Sequence, residues 1–147
     1  MTKDTKLSYP NTVELEDLKI LFNKENYDLL EIKIKPLIQK YPNVSILYNI
    51  LGVSQSSRKM FKEAIVNFER AIKLNPKLID AYNNLRIALK NCGELLKSLD
   101  VFKNALRINP DHHLSNFNLG DLYAQFNEIE KATNCFKKQL IPNPILT

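Results

Sequence analysis

Few groups in this 147-residue chain could do chemistry. Asp111, His112 and His113 are consecutive, so two imidazoles and a carboxylate lie where a metal site could begin. Adjacent side chains in a turn diverge, however, and a turn is predicted there, so no metal is expected. Carboxylates gather twice, as Glu14, Glu16 and Asp17 and as Glu25, Asp28 and Glu31. Both groups read as helix-start or solvated-face residues. Cys92 and Cys135 lie far apart in apolar-periodic segments and read as two buried thiols in a reducing compartment. Gly52, Gly93 and Gly120 are isolated and cannot build a phosphate-cradling loop. There is no His-Glu-x-x-His, no Cys-x-x-Cys and no Gly-x-Ser-x-Gly. The expectation is a protein without enzymatic activity, metal or cofactor.

Composition narrows the partners. With 44% hydrophobic and 25% charged residues, the chain is too apolar to be disordered. Its net charge is +5, but no run of five like charges occurs, so nucleic acid is not an expected partner. Residues 1–10 carry no apolar stretch of signal-peptide type and read as a disordered N-terminal segment. The longest uncharged stretch, Tyr41–Ser57, contains Pro42, Asn43 and Asn49 and falls short of a membrane span of about 20 apolar residues. A cytoplasmic protein without membrane contact is the expectation.

The elements that must position any site follow from a repeat. Pro42, Pro76, Pro110 and Pro144 are each 34 residues apart, and three of them follow Asn. The residue before a proline is pushed out of the helical region, so each should close a helix. Leu51, Leu85 and Leu119 share one phase, as do Phe68, Phe102 and Phe136; Ala64 and Ala132 align with Ser98, and Tyr48 with Tyr82. Four units follow: 11–44, 45–78, 79–112 and 113–146. In each, two apolar-periodic segments flank a polar break, which reads as an antiparallel helix pair. Gly93 and Asn127 suit the left-handed backbone of a helix-to-helix turn. Gly52 with Ala64, and Gly120 with Ala132, are expected where the two helices approach most closely. The three phenylalanines should fill the gap between one pair and the next, since stacked pairs cover apolar surface that a single pair cannot.

This pattern resembles the tetratricopeptide repeat, a 34-residue helix–turn–helix with an aromatic, Leu-Gly, Tyr, Ala, Phe and Pro in order. The second unit fits best, through Tyr48, Leu51, Gly52, Ala64, Phe68, Ala71 and Pro76. The third carries Arg86 at the glycine place and Ser98 at the alanine place. Arg86 should widen the local packing or bring its head to the surface. The first unit is degenerate and reads as a cap, with one helix from Thr12 to Asn23 and a second from Tyr27 kinked near Pro36. The resemblance implies an all-α right-handed solenoid that binds a protein or an extended peptide on the concave side lined by each first helix.

By phase, that face holds Asn49, Ile50 and Val53, then Asn83, Asn84, Ile87 and Asn91, then Phe117, Asn118, Asp121 and Gln125. Asn84 and Asn118 occupy equivalent places, and a ladder of amides can hold a peptide backbone without demanding sequence. Superhelices of the O-linked N-acetylglucosamine transferase type use such a ladder. Ile87 and Phe117 are candidate apolar anchors, though Ile87 is expected to pack on a neighbouring helix. A carboxylate clamp is disfavoured, because Asn49, Val53, Leu114 and Asn118 stand at its places and only Asn84 fits. An uncharged segment with Leu140, Ile141, Ile145 and Leu146 predicts continuation into further repeats, self-association as a homo-oligomer, or a tail folded back over the last helix pair. The alternative function is the N-terminal region of a larger bacterial glycosyltransferase or sulfotransferase that recruits its substrate protein. A helical repeat that binds RNA is a third and weaker reading.

Overall fold

The computed structural model describes residues 9–139. Residues 1–8 and the four aliphatic residues Leu140, Ile141, Ile145 and Leu146 lie outside the described part, and with them most of the predicted N-terminal segment and the self-association face. Among the described residues there are eight α-helices and no strand. They are α1 (Thr12–Asn23), α2 (Tyr27–Lys40), α3 (Ser45–Ser57), α4 (Phe61–Leu74), α5 (Ile79–Asn91), α6 (Leu95–Ile108), α7 (His113–Gln125) and α8 (Ile129–Gln139). The chain forms two compact units, one up to Ala88 and one from Leu89 onward, with the boundary inside α5. Packing follows chain order: α1 on α2, α2 on α3 and α3 on α4 in the first unit, α6 on α7 and α7 on α8 in the second. This is an all-α helical-repeat solenoid.

Each helix pair is joined by the same backbone device. The turns place Glu25 at φ 53°, Lys59 at φ 62°, Gly93 at φ 74° and Asn127 at φ 60°. The residue after each donates its N–H five residues back: Asn26 to Leu21, Met60 to Gln55, Glu94 to Leu89 and Glu128 to Tyr123, at 2.8–3.0 Å. This is the Schellman closure, which satisfies carbonyls a helix end would otherwise leave bare. Gly93 and Asn127 occupy the left-handed turn positions as expected; Glu25 and Lys59 occupy the equivalent ones against their own preference.

The connections between pairs share a second device. Tyr48 donates its hydroxyl to the Pro42 carbonyl at 2.9 Å, and Tyr82 to that of Pro76 at 3.1 Å. Asn116 donates its amide to that of Pro110 at 3.1 Å. Asn75 and Asn109 accept from the N–H groups of Lys77 and Asp111, forming Asx turns across the prolines.

The first-unit core is Leu18, Leu30, Ile34, Tyr41, Val44, Leu47 and Leu51. α2 runs through Pro36 as one helix. The bond its missing N–H forfeits belongs to the carbonyl of Ile32, an exposed residue, where water can take it. α1 starts at a capping box: Asn11 accepts from the Glu14 N–H and Glu14 accepts from the Asn11 N–H, both at 2.9 Å. Glu14 also receives Lys40 at 2.8 Å and the Tyr41 hydroxyl at 3.0 Å. Lys40 holds its carboxyl below the usual range, and Glu14 in turn pushes Lys40 up to about 12.

The expected close approach at the glycines takes a specific form. A Cβ on Gly52 would lie 2.5 Å from the ring of Phe68, and one on Gly120 2.6 Å from that of Phe136. Each phenylalanine is therefore seated over the glycine of its own pair. Arg86 is half-buried with its Nε withdrawn from solvent. Ser98 is fully buried, and its hydroxyl has no hydrogen-bond partner among the described residues. Cys92 and Cys135 are free and half-buried, not buried as expected, and burial pushes the Cys135 thiol up.

Candidate partner-binding groove

In the first unit, α1, α3 and α5 run along an open cleft of about 480 Å³. Leu15, Leu18 and Phe22 from α1 and Ile46, Ile50 and Val53 from α3 give it an apolar lining. Lys19 on α1, Asn49 on α3, and Asp80, Asn83 and Asn84 on α5 supply its polar groups. A mostly apolar concavity with a few placed polar groups is the usual form of a binding cleft.

Five of the predicted residues line this cleft: Asn49, Ile50, Val53, Asn83 and Asn84. Two of the amides already engage each other, since Asn84 Nδ2 donates to Asn49 Oδ1 at 3.1 Å. Asn49 is only 6% exposed, so the part of this pair open to a partner is on half-buried Asn84. Ile87 is 47% exposed rather than packed away, and it is not among the lining residues.

The other five predicted residues belong to the second unit. Asn91 and Gln125 are exposed, and Asp121 is half-buried and accepts from Gln125 at 2.8 Å. Phe117 is 45% exposed, with its ring 6.0 Å from that of Phe136. Asn118 is 1% exposed, so its amide faces the interior.

Sequence reasoning missed the contribution of α1. Leu15 stands one period before Asn49 and Lys19 one period before Val53, so carrying the phase back once more would have found them. Reading that pair as a cap hid the signal.

Several of the residues with chemical potential are engaged in holding the fold. Glu31 pairs with Lys35 at 2.7 Å and with Arg58, whose Nε also meets Asp28 at 3.1 Å. Asp17 meets Lys33 at 3.3 Å. His112 caps α7: its Nδ1 accepts from the Ser115 N–H at 3.3 Å and lies 2.6 Å from Ser115 Oγ. Burial, with the charge of His113 second, lowers its pKa. No group of three or more metal-ligating side chains is gathered among the described residues, and no helix there is long and apolar enough to cross a membrane.

The tetratricopeptide repeat sequence profile matches residues 46–78 and 114–140. No curated protein sequence matches the chain. Solved structures do. One of MamA is 23% identical, with a TM-score of 0.71 over 93% of this chain and 78% of that one. MamA residues 41 to the end, from Desulfovibrio magneticus RS-1, is 19% identical, with a TM-score of 0.66 over 86% of this chain and 72% of that one. YrrB, a tetratricopeptide repeat protein described as having an unusual peptide-binding site, is 22% identical, with a TM-score of 0.65 over 97% and 72%. The eight described helices, the profile and this likeness in fold agree: residues 46–78 and 114–140 are tetratricopeptide repeats, and the chain has the fold of such proteins.

Proposed function

We propose that the protein is a non-enzymatic protein- or peptide-binding module that seats its partner in the cleft between α1, α3 and α5. One observation carries this reading: an open concavity of about 480 Å³ with an apolar lining and amides at its α5 wall. Its volume is within the range of sites that bury most of a small ligand, here two or three side chains of an extended segment. Asn83 and Asn84 would meet the backbone of that segment, and Leu15, Phe22, Ile50 and Val53 its side chains. YrrB, similar in fold, is named for a peptide-binding site, which supports the same reading. The units 11–44, 45–78, 79–112 and 113–146 would serve as the stacked frame. Because the helices are already packed, the receptor loses little freedom on binding.

Recruitment of a substrate protein to a larger enzyme would use the same cleft, as would pairing with a second copy of the chain. The test is a phage-displayed peptide library selected on the full chain, with enriched peptides titrated by fluorescence polarisation. Binding that Ile50→Glu weakens at least about tenfold, with helicity unchanged, supports the cleft. Binding that Ile50→Glu leaves intact, or a selection without enrichment, overturns it. Binding should change little with added salt; a steep fall would point to nucleic acid instead.

A further inference from the structure

We infer that His112 makes the start of α7 an acid-sensitive joint, firm when its imidazole is neutral and loosened when it is protonated. The geometry sets this out. His112 is the N-cap residue, and its Nδ1 accepts from the backbone N–H of Ser115, the third residue of the helix. Ser115 is fully buried, so that N–H has no ready replacement from water. An imidazole nitrogen accepts only while its lone pair is free. Protonation at Nδ1 turns the acceptor into a donor. The ring can then donate to Ser115 Oγ, 2.6 Å away, but the Ser115 N–H loses its acceptor and a positive charge is placed at a helix N-terminus, where the backbone dipoles oppose it.

The caps elsewhere differ. Asn11 and Asn26 cap α1 and α2 with amides, which do not titrate, and Val44 at the place equivalent to Leu78 and His112 makes no side-chain cap. The charged groups on the elements packed against α7 are Lys97, Asp100, Lys103 and Arg107 on α6 and Glu130, Lys131, Lys137 and Lys138 on α8, with Asp111 in the connection, and all are exposed. His113, exposed on α7 itself, is the charge that acts on His112, and it adds to the effect of burial. Both causes favour the neutral ring in the folded chain. A histidine whose folded pKa is depressed gives stability that is complete above its ordinary value, about 6.5, and is lost as pH falls below it. The helix this joint governs carries Phe117, Asp121 and Gln125 at its surface, so acid would loosen that face before the first unit responds.

Hydrogen exchange of the full chain from pH 7.5 to 5.0, corrected for intrinsic rates, tests the idea. Protection of the amides of residues 115–118 should fall about fivefold below pH 6.5 relative to those of α3, the size expected for losing one cap. His112→Asn should keep the cap and flatten the profile, while His113→Gln should retain most of it. A flat profile in the unaltered chain, or an unchanged fall in His112→Asn, overturns the inference. NMR titration of the His112 ring in the unaltered chain gives a second reading that depends on no variant: a folded pKa at or above the ordinary value would also overturn it.

Discussion

The second and fourth helix pairs repeat one plan with unequal tightness. Each presents a Leu-Gly on its first helix and a phenylalanine 16 positions after the glycine on its second. In α3–α4 the ring of Phe68 is fully buried over Gly52, whereas in α7–α8 the ring of Phe136 is half-buried over Gly120. The left-handed turn is made by Lys59 in one and Asn127 in the other. The contact with the proline carbonyl comes from Tyr48 in one and Asn116 in the other. Backbone wiring is thus common to the two pairs, and side chains decide how much each piece contributes to stability.

Four measurements bear on that difference. The largest effect is expected from Phe68→Ala, which empties a closed core position and should cost about 3–5 kcal/mol in urea unfolding. Phe136→Ala should cost about 1–2 kcal/mol, because part of that ring already faces water. Equal losses would remove the contrast. Next comes Gly52→Ala, where the new methyl meets a ring that has nowhere to go, at about 1–3 kcal/mol. Gly120→Ala should cost less than about 1 kcal/mol, since the half-buried ring of Phe136 can turn outward. A costlier Gly120→Ala would show that the ring is held.

Ser98 extends the comparison to the place where both of these pairs have alanine. Its buried hydroxyl has no partner among the described residues, so Ser98→Ala should raise stability by about 1 kcal/mol. A loss on that change would mean the hydroxyl is satisfied in solution. The smallest effect concerns the turns. Lys59→Gly should stabilise by about 0.5–1 kcal/mol by relieving a left-handed lysine, and Asn127→Gly by less, because asparagine tolerates that backbone. Thermal midpoints of the two variants would rank them, and an inverted order would break the account.

Much of the fold was legible in the primary structure because turns and close approaches constrain residue type. Prolines at a fixed spacing marked the helix ends, and Gly93 and Asn127 marked two of the four left-handed positions. Glu25 and Lys59 were not legible as such: the closing hydrogen bonds impose the conformation there, and nothing in those side chains signals it. Asn116 escaped notice because an amide does the work of a tyrosine hydroxyl with no chemical likeness between them. The groove was legible in outline only. Phase placed Asn49 and Asn84 on one face, but their mutual hydrogen bond joins positions a residue out of register, which no period reveals. The opposite wall went unread because α1 has lost the residues that mark the repeat.

The tie between each proline carbonyl and the side chain six residues later has a genealogical consequence. Donor and acceptor both lie within a block that begins at Pro42, Pro76 or Pro110. A duplication that copies 34 residues from such a start inherits its own fastening, whatever stands upstream. A copy broken elsewhere regains the same fastening only at the seam, where one copy's proline meets the next copy's donor.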